Sequence, residues 1–325
     1  MDQITAIRID APGGPEAMMV ETNAMPDPKP DDILIRHHAV GVNFIDTYHR
    51  SGLYPLPLPT GVGLEAAGEV IAVGDNVTNW AVGDRAAYCT GPIGAYSSAH
   101  CVAADRAVHL PDMISFDIAG AIMLKGLTTQ YLIRQIHPTQ PGDIVLFHAG
   151  AGGVGQIAIQ WLKHLGAAVI TTVGSDKKAE IARSLGADHV INYQTEDIAE
   201  KVRTIAPDGL LVVFDGVGKD TFVASLDSLR PRGLMVSFGN ASGPVQDIDL
   251  GILAAKGSLF LTRPTLFDYT ATSEALQAAA DDLFATVTNG GVKIEEPTVY
   301  PLAEAAQAHR DLEGRMTTGS LILRP

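Results

Sequence analysis

The chain has little cysteine: Cys89 and Cys101 are the only two in 325 residues. Their spacing is neither a disulfide framework nor a C-x-x-C metal or redox motif, so both are expected to be buried free thiols. Positive charge is also scarce, since 23 Lys and Arg against 37 Asp and Glu give a formal net charge of −14. Broad acidity repels phosphate backbones and anionic bilayers, so neither nucleic acid nor membrane is an expected partner. A phosphorylated cofactor is still allowed, held by local cations and backbone amides. No apolar run reaches the roughly 18–20 residues of a membrane helix. The opening "MDQITAIRID" has no basic region followed by an apolar stretch, so no signal peptide is expected and the chain reads as cytoplasmic. There is no H-E-x-x-H, and His37 and His38 are neighbours on an alternating strand pattern, pointing to opposite faces. No metal is expected.

What is present suits an ordinary globular protein, with 46% hydrophobic and 18% charged residues. The length suggests two domains. Residues 1–122 are β-rich, with short apolar or alternating runs such as "ILIRHHAVGV" and "AAGEVIAVG" between Gly, Pro and Asp turns. They suggest a strongly bent sheet or small barrel. Residues 123–262 change rhythm. Six buried-looking strands run from "DIVLFHA" to "SLFLT", with helical patterns between most of them. Gly166 and Gly186 close two of those helices. Alternating strand and helix predicts a doubly wound parallel sheet, an α/β Rossmann fold. Residues 240–257 are its least clear crossover. Residues 263–325 hold helical patterns at 272–288 and 302–313, and a last strand, "SLILRP", expected to rejoin the first stretch.

Two segments carry the spacing G-x-G-x-x-[GA]: "GVGLEA" at 61–66 and "GAGGVG" at 150–155. A phosphate loop needs a buried strand before it and a helix N-terminus after it. The second segment has both: Gly150, Gly152 and Gly155 form the fingerprint, with Ala149, Gly153 and Val154 completing the cradle. The first is followed by a strand-like alternation and no helix, so its glycines are assigned to a tight turn and close packing. An acid for a ribose hydroxyl is expected about 20 residues on. Here Val173 and Gly174 occupy the strand tip, followed by Ser175, Lys177 and Lys178, with Tyr193 past the third strand. A small polar residue with cations favours NADPH over NADH. Asp176 would reverse that reading if the strand ended later.

Together, "GVNFIDTYHRSGLYP", "GLEAAGEV", "VGDRAAY", "GAYSS", "KGLTTQYL" and "HAGAGGVG" resemble the medium-chain dehydrogenase/reductases, and more narrowly the zinc-free NADPH:quinone oxidoreductases related to zeta-crystallin. The resemblance spans essentially the whole chain. It implies a GroES-like catalytic domain over 1–122, completed by 263–325, and a Rossmann dinucleotide-binding domain over 123–262. Zinc-using relatives carry metal ligands where this chain has Asn43, Leu64 and Lys125. The implied activity is transfer of reducing equivalents from NADPH to a quinone without zinc. Alternatives are reduction of enones or other activated alkenes, and an NADPH-binding protein without turnover.

The same resemblance carries Asn43, Asp46 and Tyr48 to the nicotinamide side and Tyr54 to the acceptor, the two tyrosines stacking on it or hydrogen-bonding to it. Thr128 is placed near the nicotinamide ribose or carboxamide. Gly174, Lys178 and Tyr193 match the environment of the 2′-phosphate. Gly216 departs from the Ser common in similar enzymes. Phe238, Gly239 and Ser242 follow the fifth strand at the cofactor edge, and Arg315 reaches back from the C-terminal stretch. The sixth strand would be an open edge in a monomer, which predicts a homodimer by strand addition.

Overall fold

The computed structural model describes residues 3–314 and 316–325. Two compact units emerge. The first comprises residues 1–127, 270–288 and 294–325, and the second 128–269 and 289–293.

The first unit is built around its longest strand, Asp32–Val42. One edge pairs antiparallel with Ala66–Val73, with register shifts after Leu34 and His37. The other edge is shared, Ala99–Ala103 covering residues 32–36 and the C-terminal Leu321–Arg324 covering 40–42. The final strand thus rejoins the first stretch of chain. These strands belong to a bent seven-stranded sheet, beside a three-stranded sheet of Met19–Ala24, Gln3–Ile9 and Thr60–Gly61. Their inward side chains, Ile33, Ile35, Val40, Val70 and Leu323 among them, form one core with Ile7, Tyr88 and Tyr96. His37 is buried and its neighbour His38 exposed, as alternation requires. Both cysteines are free. Cys89 is buried, but Cys101 is only half so: its strand packs on a small satellite cluster around Ile4 and Leu34.

"GVGLEA" is a turn. Gly63 has φ +90° and sits against Tyr96, so that a Cβ would lie 2.2 Å from that ring. The strand Ala66–Val73 follows directly.

The second unit is a six-stranded sheet whose neighbours all pair parallel. Its spatial order is His189–Asn192, Ala168–Val173, Ile144–Phe147, Leu210–Asp215, Leu229–Ser237 and Phe260–Thr262. The order reverses at the first strand in sequence, the switch point where doubly wound sheets bind ligands. Gly166 and Gly186 terminate the first two crossover helices with φ +85° and +101°. The unclear crossover contains the short helix Gly251–Ala255. Among the described residues, no helix is long and apolar enough to cross a membrane.

Candidate active site

In the second unit the glycine-rich loop joins the strand Ile144–Phe147 to the helix Gly153–His164. Close packing dictates its sequence. A Cβ at Gly155 would lie 2.3 Å from the Ala149 carbonyl oxygen, and one at Gly150 would lie 2.3 Å from Thr171 Oγ1. Ala149 itself has φ +59°, uncommon for a residue with a Cβ. The first bond of the helix runs from Gln156 N to Gly152 O at 2.9 Å. The Gly153, Val154 and Gly155 amides therefore stand at the positive end of the helix dipole. This cradle fits a pyrophosphate.

A buried polar network underlies the loop. His148 Nδ1 lies 2.9 Å from Thr172 Oγ1 and its Nε2 2.9 Å from Ser225 Oγ. Ser225 donates to Asp215 Oδ2 at 2.7 Å, so its oxygen accepts from His148 Nε2–H and the ring is the Nε2–H tautomer. Burial lowers the His148 pKa, with Asp215 pulling the other way. Burial also opposes the Asp215 charge, but His148 and the bonds from Gly218, Ser225 and Thr221 hold that carboxyl below its usual range. The Thr172 hydroxyl accepts from Ala149 N at 3.3 Å, tying this network to the loop backbone.

At the second strand the tip is Val173, followed by Gly174. Ser175 caps the next helix, its Oγ accepting from Lys178 N at 3.4 Å. Asp176 lies inside the first helical turn, where Asn192 Nδ2 donates to it at 3.0 Å. It is not at the strand end, where a ribose-binding acid would stand. Tyr193 covers Gly174 so closely that a Cβ there would lie 2.3 Å from the phenol oxygen. Gly216 likewise makes room for Phe238, whose ring would lie 2.8 Å from an added Cβ. Gly239 packs on the Gly216 carbonyl, and Ser242 donates through N and Oγ to Val217 O at 2.8 and 2.9 Å. Ser242 thus spends its hydroxyl joining two loops. Thr128 is half-buried near the end of the helix Phe116–Gln130. Arg315 lies outside the described residues.

In the first unit, Asn43 and Asp46 define the start of the helix Phe44–Ser51. Asn43 N donates to Asp46 Oδ2 at 2.8 Å, half of a capping box. Tyr96 OH donates to the same oxygen at 3.0 Å, while Oδ1 is buried with no hydrogen-bond partner among the described residues. Asp46 is fully buried, and burial lifts its pKa to about 7. Asn43 Nδ2 donates to Glu65 Oε2 at 2.7 Å. Glu65 Oε1 accepts from Leu124 N at 2.7 Å, and Lys125 Nζ stands 3.8 Å from Oε2. Burial raises the Glu65 pKa against these contacts. Tyr48 and Tyr54 are half-buried and meet edge to face, with ring centroids 5.3 Å apart. Phe44 extends this aromatic shelf, 6.5 Å from Tyr48.

The structure therefore gathers Asn43, Asp46, Tyr48 and Tyr54 on and beside one helix of the first unit. Separately, it gathers the glycine loop and the Gly174–Tyr193 pair at the strand ends of the second. The sequence reading missed the Arg50–His309–Tyr96 connection to Asp46, which spans residues far apart in the chain. It also missed the Lys125–Glu65 pairing. Among the described residues no group of three or more His, Cys, Asp or Glu could hold a metal ion. At the positions zinc-using relatives employ, Asn43 is an amide, Leu64 a buried hydrocarbon and Lys125 a cation. Both Glu65 oxygens already accept hydrogen bonds. This donor set does not fit a catalytic zinc.

Residues 29–134 match the alcohol dehydrogenase GroES-like domain, and residues 153–313 match a family described as zinc-binding dehydrogenase. A quinone oxidoreductase of Pseudomonas aeruginosa is 54% identical over 98% of this chain and 99% of its own. A 2-haloacrylate reductase of a Burkholderia species is 44% identical over 99% of each chain. The crystal structure of Escherichia coli quinone oxidoreductase complexed with NADPH superposes with a TM-score of 0.97 at 48% identity, covering 99% of this chain and 100% of the other. The chain belongs to the quinone oxidoreductase family of the medium-chain dehydrogenase/reductases.

Proposed function

We propose that the protein is an NADPH-dependent quinone reductase that works without zinc. The observation that carries this reading is the Asn43–Glu65–Lys125 cluster, which puts an amide and an ammonium where a metal would need donors. A quinone is already a good electron acceptor, so it needs less Lewis-acid polarisation than a ketone. The names of the relatives above support the same activity.

The Gly150–Gly155 loop would hold the pyrophosphate, and Gly174, Ser175, Lys178 and Tyr193 the 2′-phosphate. Asp176 accepts from Asn192 at the end of the neighbouring strand, which supports its standing apart from that phosphate. Thr128, Phe238 and Gly239 would border the nicotinamide half, with Ser242 bracing their loop. When bound, NADPH supplies a hydride. A hydride and one proton from solvent would together supply the two electrons and two protons that separate a quinone from its hydroquinone, so the protein would need no redox change of its own. Tyr48 and Tyr54 offer aromatic faces and hydroxyls to a flat acceptor. Asn43 orients through Glu65, and the buried Asp46 fixes the helix that carries Tyr48.

A second reading, reduction of activated alkenes, is favoured by the similarity to the 2-haloacrylate reductase. Steady-state assays with p-quinones and with α,β-unsaturated carbonyls separate the two. Quinones should give the higher kcat/KM, with NADPH preferred over NADH; the reverse acceptor order would replace the first reading with the second. We further propose a cytoplasmic homodimer formed through the exposed edge strand Phe260–Thr262, where Phe260 is 61% exposed.

A further inference from the structure

Four buried polar side chains form one hydrogen-bonded chain between the helix Phe44–Ser51 and the C-terminal helix Ala305–Glu313. Arg50 Nη1 lies 3.0 Å from His309 Nδ1. A guanidinium can only donate, so Nδ1 is the acceptor and the ring proton sits on Nε2. That nitrogen is 2.9 Å from the Tyr96 oxygen, which in turn donates to Asp46 Oδ2 at 3.0 Å. Every donor therefore points toward Asp46. The other end is anchored as well: Arg50 Nη1 and Nη2 grip Glu313 at 3.0 and 2.8 Å, and Nε donates to Gly13 O at 3.1 Å. Asp46, Tyr96 and His309 are fully buried, and Arg50 nearly so.

The chain starts and finishes on the same helix. Asp46 and Arg50 are four residues apart and share one face, so His309 and Tyr96 form a bracket across one turn. Tyr48 lies between them in sequence on a different face, in edge contact with Tyr54. Gly63 lets the Tyr96 ring into place, and the ring stands perpendicular to His309 at 5.7 Å. Three distant pieces of chain thus converge to hold one short helix that carries the aromatic shelf.

We infer that His309 and Tyr96 are positioning residues for the electron acceptor, fixing Tyr48 and Tyr54 through Asp46 and Arg50. This rests on the reading that the two tyrosines receive the quinone. A pH dependence is consistent with it. The groups facing Asp46 are Asn43, Tyr96, Glu65 and Lys125, and burial dominates them in lifting its pKa to about 7. Burial, with Arg50 adding to it, keeps His309 neutral with a pKa of about 3. Protonating Asp46 removes the negative charge at the helix N-terminus and weakens the acceptor that Tyr96 and Asn43 share.

The test uses the full chain with Tyr96→Phe, His309→Leu and His309→Gln, the last able to accept and donate like the histidine. NADPH Kd, kcat and KM for 1,4-benzoquinone, and amide exchange over residues 44–51 are measured for each. Tyr96→Phe and His309→Leu should raise the quinone KM about five- to tenfold while NADPH Kd stays within about twofold, and His309→Gln should recover most of the loss. The wild-type KM should rise below about pH 7, and Asp46→Asn should be high and flat across that range. Unchanged quinone KM in both breaking variants, despite faster exchange, would make the chain merely structural and overturn the inference. An equal rise in NADPH Kd would overturn it too. A wild type that reduces no quinone overturns the functional reading instead. Positioning of a quinone falls with that reading, and exchange then decides only whether the bracket braces the helix: faster exchange in Tyr96→Phe upholds the bracing and unchanged exchange overturns it.

Discussion

At the scale of single residues, the site is defined by what small side chains leave out. Gly155 admits the Ala149 carbonyl, Gly174 admits the Tyr193 hydroxyl, and Gly216 admits the Phe238 ring. A Cβ at Gly216 would lie 2.8 Å from the Phe238 ring, so any larger residue there would have to displace it. Gly155→Ala has no flexible neighbour to yield, because the clashing atom is backbone. We expect it to weaken NADPH binding about tenfold or more, from an overpacking cost of roughly 1–3 kcal/mol. Lys178→Ala should weaken NADPH but leave NADH within about twofold. Fluorescence titration with both nucleotides checks the pair; equal losses for NADPH and NADH in Lys178→Ala would remove that residue from the 2′-phosphate site.

At the scale of elements, legibility followed the range of the interactions. The parallel sheet is readable because its central strands, Ala168–Val173, Ile144–Phe147 and Leu210–Asp215, are mostly buried apolar runs and its first two crossover helices end at left-handed glycines, Gly166 and Gly186. The choice between glycine loops was readable too, since it depends only on whether a helix or a strand comes next. The helix Phe44–Ser51 was hidden in a stretch read as β-rich. Its local signals are nonetheless present: Asn43 at the cap, Asp46 three residues on, and Gly52 closing it at φ +80°. The helix Phe116–Gln130 was hidden for another reason, being apolar nearly all round. The bracket from Arg50 to Asp46 could not be read at all, because it joins residues 50, 96 and 309 through tertiary packing.

The bracket makes a stability prediction whose sign differs between its members. His309 is depressed to about 3 from 6.5, so the unfolded chain binds the extra proton and stability is lost as pH falls below about 6.5. Asp46 is raised to about 7 from 3.8, so the folded chain binds the extra proton and stability is lost as pH rises toward 7. Between pH 7 and 5, His309→Gln should therefore lessen acid destabilisation by about 2 kcal/mol, and Asp46→Asn should deepen it by a similar amount. Urea melts at both pH values measure the difference. Parallel slopes for the two variants would mean that neither group titrates as its burial requires.

At the scale of the whole molecule, the acidic surface and the open sheet edge set what the protein associates with. Among the described residues the strand Phe260–Thr262 pairs on one side only, and Phe260 is 61% exposed. Strand addition across a two-fold axis would cover both. Light scattering at micromolar concentration should give a dimer for the wild type and a monomer for Phe260→Lys; a monomeric wild type would show that this edge is not a dimer seam.

We propose that this chain carries reducing equivalents from NADPH to a quinone with its own side chains and no metal. It is tested most directly by adding one equivalent of NADPH to chelator-treated protein with excess 1,4-benzoquinone, and measuring hydroquinone formed alongside bound metal. One hydroquinone per NADPH oxidised is expected, with metal far below one ion per chain. Absence of NADPH oxidation, or turnover that appears only when zinc is restored, would contradict it.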